Sequence, residues 1–137
     1  MIIADTGFFL ALGNTRDDDH ARAKRALENV TESLVTTWPI VTETCHLLAH
    51  RLGAGAVDRF IAGATRRAFE LFDLEVDHLP RIAELMRKYR DLPMDLADAS
   101  LVILAEHLGS GRILSTDRRD FGAYRWKNRR PFHNLLA

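Results

Sequence analysis

Five carboxylates stand where a chain could put them to chemical use. Asp5 directly follows the apolar run Ile2-Ile3-Ala4 and precedes Thr6-Gly7. Asp117 follows Ile113-Leu114-Ser115-Thr116. Glu43 lies in Val41-Thr42-Glu43, and Asp95 and Asp98 open the stretch Asp-Leu-Ala-Asp-Ala-Ser-Leu. Each has a plain structural use. Asp5 and Asp117 suit turns or helix N-caps, Glu43 suits a solvated helix face, and Asp95 suits a helix N-terminus, where the dipole favours negative charge. Asp98 is harder to place this way. It stands three residues after Asp95, so both can project from one side of a helix, yet Leu96, Ala97, Ala99 and Leu101 around it are apolar. Brought together, these acids repel: two like charges about 5 Å apart cost roughly 3 kcal/mol at an effective dielectric near 20. A divalent cation removes that cost, and a donor set of oxygens alone selects a hard ion, magnesium or manganese, over zinc. Magnesium binds phosphate oxygens, lowers the pKa of water and steadies a departing oxyanion. The chemistry such a cluster implies is phosphodiester hydrolysis.

Convergence requires elements that carry the acids to one place. Met1–Ala4 predicts a buried strand, and Gly7 to Gly13 a turn and short apolar helix. Asp19 caps a predicted helix through Val30 with Ala23, Ala26, Leu27 and Val30 inward. Ser33–Thr36 predicts a second strand. Pro39 suits the first turn of a helix to about Leu52, with Val41, Cys45, Leu48 and Leu52 as its apolar stripe and Gly53 as its stop. Further helices are predicted over Ala56–Arg67, His78–Tyr89 (Ile82, Leu85 and Met86 inward) and Leu96–Leu108, which Gly109 ends. Strands are predicted over Phe69–Leu74 and Arg112–Ser115, with a short fifth near Ala123–Trp126. Helices and strands alternate and the strands are apolar almost throughout, the mark of a parallel sheet covered on both faces. The expected fold class is α/β, a three-layer α/β/α sandwich around a mostly parallel sheet of four to five strands, with residues 1–137 as one domain. In such sheets ligands bind just beyond the carboxyl ends of the strands, where Asp5 and Asp117 fall.

At this point four segments, Ile3–Gly7, Val41–Glu43, Asp95–Leu101 and Ile113–Phe121, resemble the PIN-domain family in their order and separations. The likeness extends to the VapC-type ribonuclease toxins of bacterial toxin–antitoxin pairs and covers essentially the whole chain. It implies that Asp5, Glu43, Asp98 and Asp117 form a catalytic acidic pocket. Asp5 and Asp98 would be the most direct metal ligands, with Glu43 and Asp117 holding further waters or a second metal. Asp95 would act as an outer support, Thr6 and Thr116 as hydroxyls for substrate phosphate or water, and Asp120 as an accessory acid. The four-acid pattern is intact. The family further implies a magnesium- or manganese-dependent endoribonuclease that forms a homodimer and meets a small antitoxin covering its active site.

The bulk composition is compatible with this expectation. Of 137 residues, 47% are hydrophobic and 28% charged, ordinary for a soluble globular chain. The formal net charge is zero, unlike a dedicated nucleic-acid-binding module. Arg118, Arg119, Arg125, Lys127, Arg129 and Arg130 nonetheless cluster in thirteen residues against the single acid Asp120. An acidic site beside such a segment gives a neutral sum and still attracts a phosphate backbone, so Arg118, Arg119, Arg125 and Lys127 are candidate RNA contacts. The lone Cys45 cannot form an internal disulfide. The apolar N-terminus is short, lacks a basic leader and carries Asp5, so it reads as strand and turn, not as a signal peptide. No apolar run is as long as a membrane span; a cytoplasmic protein is the default.

Rival signals fit less well. His46 and His50 lie four apart, but Glu-x-x-His-x-x-x-His is not a zinc-protease order. Trp38, Phe69, Phe72, Trp126 and Phe132 are expected in the core in preference to serving as base-stacking platforms. Asp-Thr-Gly after the first strand departs from the Asp-x-Asp of haloacid-dehalogenase-like phosphatases, and Ile113–Thr116 lacks the Lys of receiver domains. The remaining alternative is a non-catalytic PIN-like module that binds RNA or serves as a scaffold.

Overall fold

A computed structural model describes residues 1–136; Ala137, the last residue of the expected 1–137 unit, lies outside the described residues. The elements run in chain order as β1 (Ile2–Ala4), α1 (Thr6–Gly13), α2 (His20–Asn29), β2 (Leu34–Thr37), α3 (Trp38–Leu52), α4 (Ala54–Thr65) and β3 (Glu70–Phe72). After a 3-10 turn at Val76–His78 come α5 (Leu79–Lys88), α6 (Leu96–Leu108), β4 (Arg112–Leu114) and α7 (Arg118–Ala123). Three two-residue strands follow: β5 (Arg125–Trp126), β6 (Arg130–Pro131) and β7 (His133–Asn134).

The central sheet has the order β3-β2-β1-β4-β7, and every pairing in it is parallel. Helices flank it, as the alternating pattern requires. β1 is the middle strand and is buried throughout, consistent with its unbroken apolar sequence. The chain winds one way from β1 through β2 to β3 and then crosses over to β4 on the other side of β1. That crossover makes the carboxyl ends of β1 and β4 the switch point of the sheet, the place where such folds bind ligands. Core packing joins Ile3, Ile113 and Leu114 of the sheet to Phe8 of α1 and to Leu101, Val102 and Leu104 of α6. The apolar α6 is therefore a buried helix whose only early polar groups, Asp98 and Ser100, demand partners. Ser100 finds two, the Ala97 carbonyl and the Thr37 hydroxyl, each at 2.6 Å.

Several expectations change. The strand near Ala123–Trp126 exists as β5, but it pairs antiparallel with β6 in a separate hairpin. The fifth strand of the sheet is β7, a pair of residues too short to leave a periodic signal. The basic stretch after Asp117 begins as α7. On α2 only Ala23 is fully buried, and Leu27 is exposed. Asp19 occupies the N-cap position of α2 without a side-chain capping bond and instead pairs with Arg22. Leu52 is exposed where α3 ends. Trp38, expected inside, is 52% exposed, while Phe69 and Trp126 are buried as expected.

Candidate active site

Asp5 leaves β1 in an extended conformation and becomes the N-cap of α1. One carboxylate oxygen accepts from the Thr6 backbone N–H at 2.7 Å, and the other accepts from the Ser115 hydroxyl at 2.7 Å. Ser115, just beyond β4, is fully buried. Its Oγ also accepts from the Asp117 N–H at 3.0 Å, so one hydroxyl ties the two strand-end acids together. Asn134 on β7 fixes this loop by donating to the Ser115 carbonyl at 2.8 Å and accepting from the Ser115 N–H at 3.2 Å. Gly7 lets the loop pack against α1: a Cβ there would lie 1.9 Å from Thr116 Oγ1.

Asp95 and Asp98 form a reciprocal capping box at the start of α6. Asp95 accepts from the Asp98 N–H at 2.8 Å, and Asp98 accepts from the Asp95 N–H at 3.4 Å. The buried Tyr124 donates its hydroxyl to Asp98 Oδ2 at 3.2 Å. Asp117 caps α7 by accepting from the Asp120 N–H at 3.0 Å. The capping uses foreseen for Asp5, Asp95 and Asp117 are thus all present. They coexist with the convergence, because Asp5, Glu43, Asp98 and Asp117 all line one cleft of about 290 Å³, together with Thr6 and Thr116.

Electrostatics separate these acids from ordinary caps. Burial pushes Asp5 up to about 6, against the pull of the Ser115 and Thr6 hydrogen bonds, and the charges of Glu43 and Asp117 push the same way. Burial, then Asp95 and Asp5, raise Asp98 to about 8. Glu43 is raised by its partial burial and by Asp95, with the Thr6 hydroxyl opposing. Burial and its contact with Asp117 raise Asp120. Among the described residues, none of the four cleft acids is in an ion pair. Arg51 reaches the wall of the cleft without pairing with them.

The donor set fits a hard divalent cation: all oxygens, mutually repelling, uncompensated, with the buried Thr6 Oγ1 beside them in no hydrogen bond of ordinary geometry. Among the described residues, no three acidic, histidine or cysteine side chains already form a group that could hold an ion. The fold gathers the acids around a space without closing them on one point.

The other expected residues divide. Asp95 is exposed, outside the cleft wall, and supports Asp98 through the capping box. Arg118 and Arg119 open α7 directly after Asp117 and are exposed. Arg125 is committed elsewhere, its guanidinium donating to the carbonyls of Gly122, Ala123 and Tyr124 at 3.0, 3.2 and 2.9 Å. The Lys127 ammonium lies over the Trp126 ring, 5.8 Å from its centroid. Sequence reasoning missed Ser115, Tyr124, Asn134, Arg51, Asp17 and Asp19, of which the last three also line the cleft. Only Ser115 carried a local signal, as a polar residue ending an apolar strand one position before a candidate hydroxyl.

A buried parallel sheet with acids at its central switch point defines a class, and the sequence comparison agrees: a family model for the PIN domain matches residues 2–127, and the chain belongs to this family. The chain is 33% identical over 127 residues to Ribonuclease VapC26 of Mycobacterium tuberculosis (strain ATCC 25618 / H37Rv), covering 90% of this chain and 92% of that protein. The crystal structure of Mycobacterium tuberculosis VapC20, described as a sarcin-ricin loop cleaving toxin, superposes with a TM-score of 0.84 at 25% identity, over 96% of this chain and all of that one. A toxin–antitoxin complex from Klebsiella pneumoniae matches in fold, with a TM-score of 0.69 at 18% identity, over 90% of this chain and 92% of that one.

Proposed function

We propose that this protein is a magnesium- or manganese-dependent endoribonuclease, the toxin of a toxin–antitoxin pair. The observation that carries the reading is a cleft in which buried Asp5 and half-buried Asp98 are pushed far above ordinary carboxylates with no cation to offset them. Membership of the PIN-domain family and the ribonuclease VapC26 relative support it. Asp5 and Asp98 would be the direct ligands, with Glu43 and Asp117 completing the set. When bound, the ion would supply a water of lowered pKa and charge stabilisation for the departing oxygen. The chain's own part is positional. Ser115 holds Asp5 and the Asp117 backbone together, Tyr124 and Asp95 orient Asp98, and Thr6 and Thr116 offer hydroxyls toward a phosphate. Arg118, Arg119 and Lys127 are proposed to draw in the RNA backbone. We extend the proposal to a cytoplasmic homodimer acting with a cognate antitoxin. No described helix is long and apolar enough to cross a membrane.

The test is cleavage of cellular RNA by the purified protein. Magnesium should activate and chelation abolish cutting. Asp5→Asn should lower the rate about a thousandfold or more, the scale of several kcal/mol of lost transition-state stabilisation, while circular dichroism stays native. A non-catalytic PIN-like RNA-binding or scaffold module is the second reading, favoured only by the absence of a preassembled three-acid group among the described residues. Calorimetric titration separates the two, since an inert module would bind neither magnesium nor manganese specifically.

A further inference from the structure

Beside the acid cleft lies a second hollow of about 600 Å³, which the nuclease reading leaves without a role. Trp38, Thr42 and His46 line one side of it, one residue per turn along α3, and Asp95 and Leu96 line the other. Glu43 belongs to both hollows, so the two are continuous. Trp38 is a large aromatic residue, half in solvent, at the first position of α3. Its ring is not loose: Nε1 donates to Asp73 at 2.8 Å, which fixes the indole edge against the end of β3. A ring tethered by its edge keeps its faces free to stack.

We infer that this hollow is a nucleobase subsite, in which Trp38 stacks an unpaired base of the RNA adjacent to the phosphate at the acids. The inference rests on the nuclease reading and adds a substrate class to it: RNA with unstacked bases at the cut. Trp38 and Glu43 are five residues apart on one helix, about 7.5 Å of axial rise, so a base on the indole and its phosphate at the acids belong to neighbouring positions on one strand. Proteins that read single-stranded RNA combine these features, an aromatic stacking surface beside a phosphate-tracking site. A second copy of the chain is a poorer occupant. A two-fold interface would place the same patch on both sides, setting the carboxylates of Asp73 and Asp95 near their own duplicates. A neutral base meets no such repulsion.

The experiment uses the site that the wild-type protein cuts in total RNA, resynthesised as a short oligonucleotide, either intact or with one base beside the cut removed. On intact RNA, Trp38→Ala should raise KM about tenfold, a loss of stacking of ordinary size, with kcat within about twofold. Trp38→Phe should restore most of the binding. On the abasic RNA, wild type and Trp38→Ala should be equal, because the partner of the ring is gone. Equal KM for both proteins on intact RNA, or the same penalty on intact and abasic RNA at every flanking position, would overturn the subsite. So would a changed sedimentation coefficient of Trp38→Ala, which would assign the face to contact between copies. A wild-type protein that cuts no RNA with magnesium would overturn the nuclease reading and the subsite together. Cutting that is indifferent to Trp38 overturns the subsite alone.

Discussion

Helix α6 carries one carboxylate in its first turn and another near its last, and the two are treated in opposite ways. The helix dipole alone would favour charge on Asp98 and disfavour it on Glu106. The observed directions are reversed. Asp98 is raised to about 8 by burial and by neighbouring acids. Glu106 is also desolvated, yet it ends below the usual range. Arg81 grips both its oxygens at 3.0 and 2.7 Å, and the Lys127 backbone N–H adds a third bond. One end of the helix was given a guanidinium and the other was given more acids. A fold that can satisfy a half-buried carboxylate with Arg81 has left Asp98, Asp5 and Glu43 without a counter-charge, and that difference is the physical case for an external cation.

The sharpest way to break the contrast is to remove the charge at each end in turn without metal. Glu106→Ala strands Arg81 in a site where both side chains are mostly buried. It should destabilise by about 2–3 kcal/mol, below the cost of breaking a fully buried pair because solvent screens part of it. Asp98→Asn should do the reverse, raising the metal-free melting temperature, since it deletes a charge the site disfavours. Thermal melts in chelator check both, and a destabilised Asp98→Asn would mean that the capping box outweighs the repulsion.

The same contrast has a pH signature. Asp5 and Asp98 have folded-state pKa values above the unfolded ones, so ionising them opposes folding. Their contribution to stability is intact below about pH 4, near the unfolded values, and is lost as pH rises through about 6 and then about 8. Glu106, lowered on folding, contributes in the opposite sense and is lost only in acid. The metal-free protein should therefore melt at lower temperature at pH 8 than at pH 5, by an amount on the order of 2 kcal/mol for Asp5 alone. Saturating magnesium should flatten or invert that slope. A slope unchanged by magnesium would leave the acids without an ion to serve.

Much of the scaffold behind this contrast was legible in the residues. Apolar runs ending in Asp5 and Asp117, and a buried helix opened by two acids, follow from periodicity and caps. What stayed hidden depends on contacts between distant segments. Ser115 touches Asp5 across 110 residues and Tyr124 touches Asp98 across 26, and neither pairing has a local pattern. β7 is legible only through its register on β4, Arg112 opposite His133. Arg125 looked like a free cation because sequence cannot show that three carbonyls at the end of α7 already hold it. Trp38 was assigned to the core by residue type. The strand it follows ends one position earlier, which turns its side chain out beside the cleft.

A smaller change sharpens the comparison further. Glu106 keeps its charge through a guanidinium, whereas Asp98 has only the Tyr124 hydroxyl and the Asp95 N–H, both of which lower its pKa against burial. The tyrosine hydroxyl is itself held neutral, with burial and then Asp98 pushing its pKa far up, so it serves as a donor throughout the working range. Tyr124→Phe removes that donor and keeps the ring, which packs edge-on against Tyr89 and Phe121. Stability should fall by about 1 kcal/mol or less, because the lost bond is long and partly offset by easier burial. The larger consequence is that the Asp98 pKa rises further, so protons compete better with metal. Magnesium affinity measured by calorimetry should drop about fivefold near pH 7, where a shift of under one pKa unit still matters. The deficit should shrink as pH is raised past 8, where both proteins are ionised. A deficit independent of pH would place Tyr124 in shaping the cleft and not in holding the charge of Asp98.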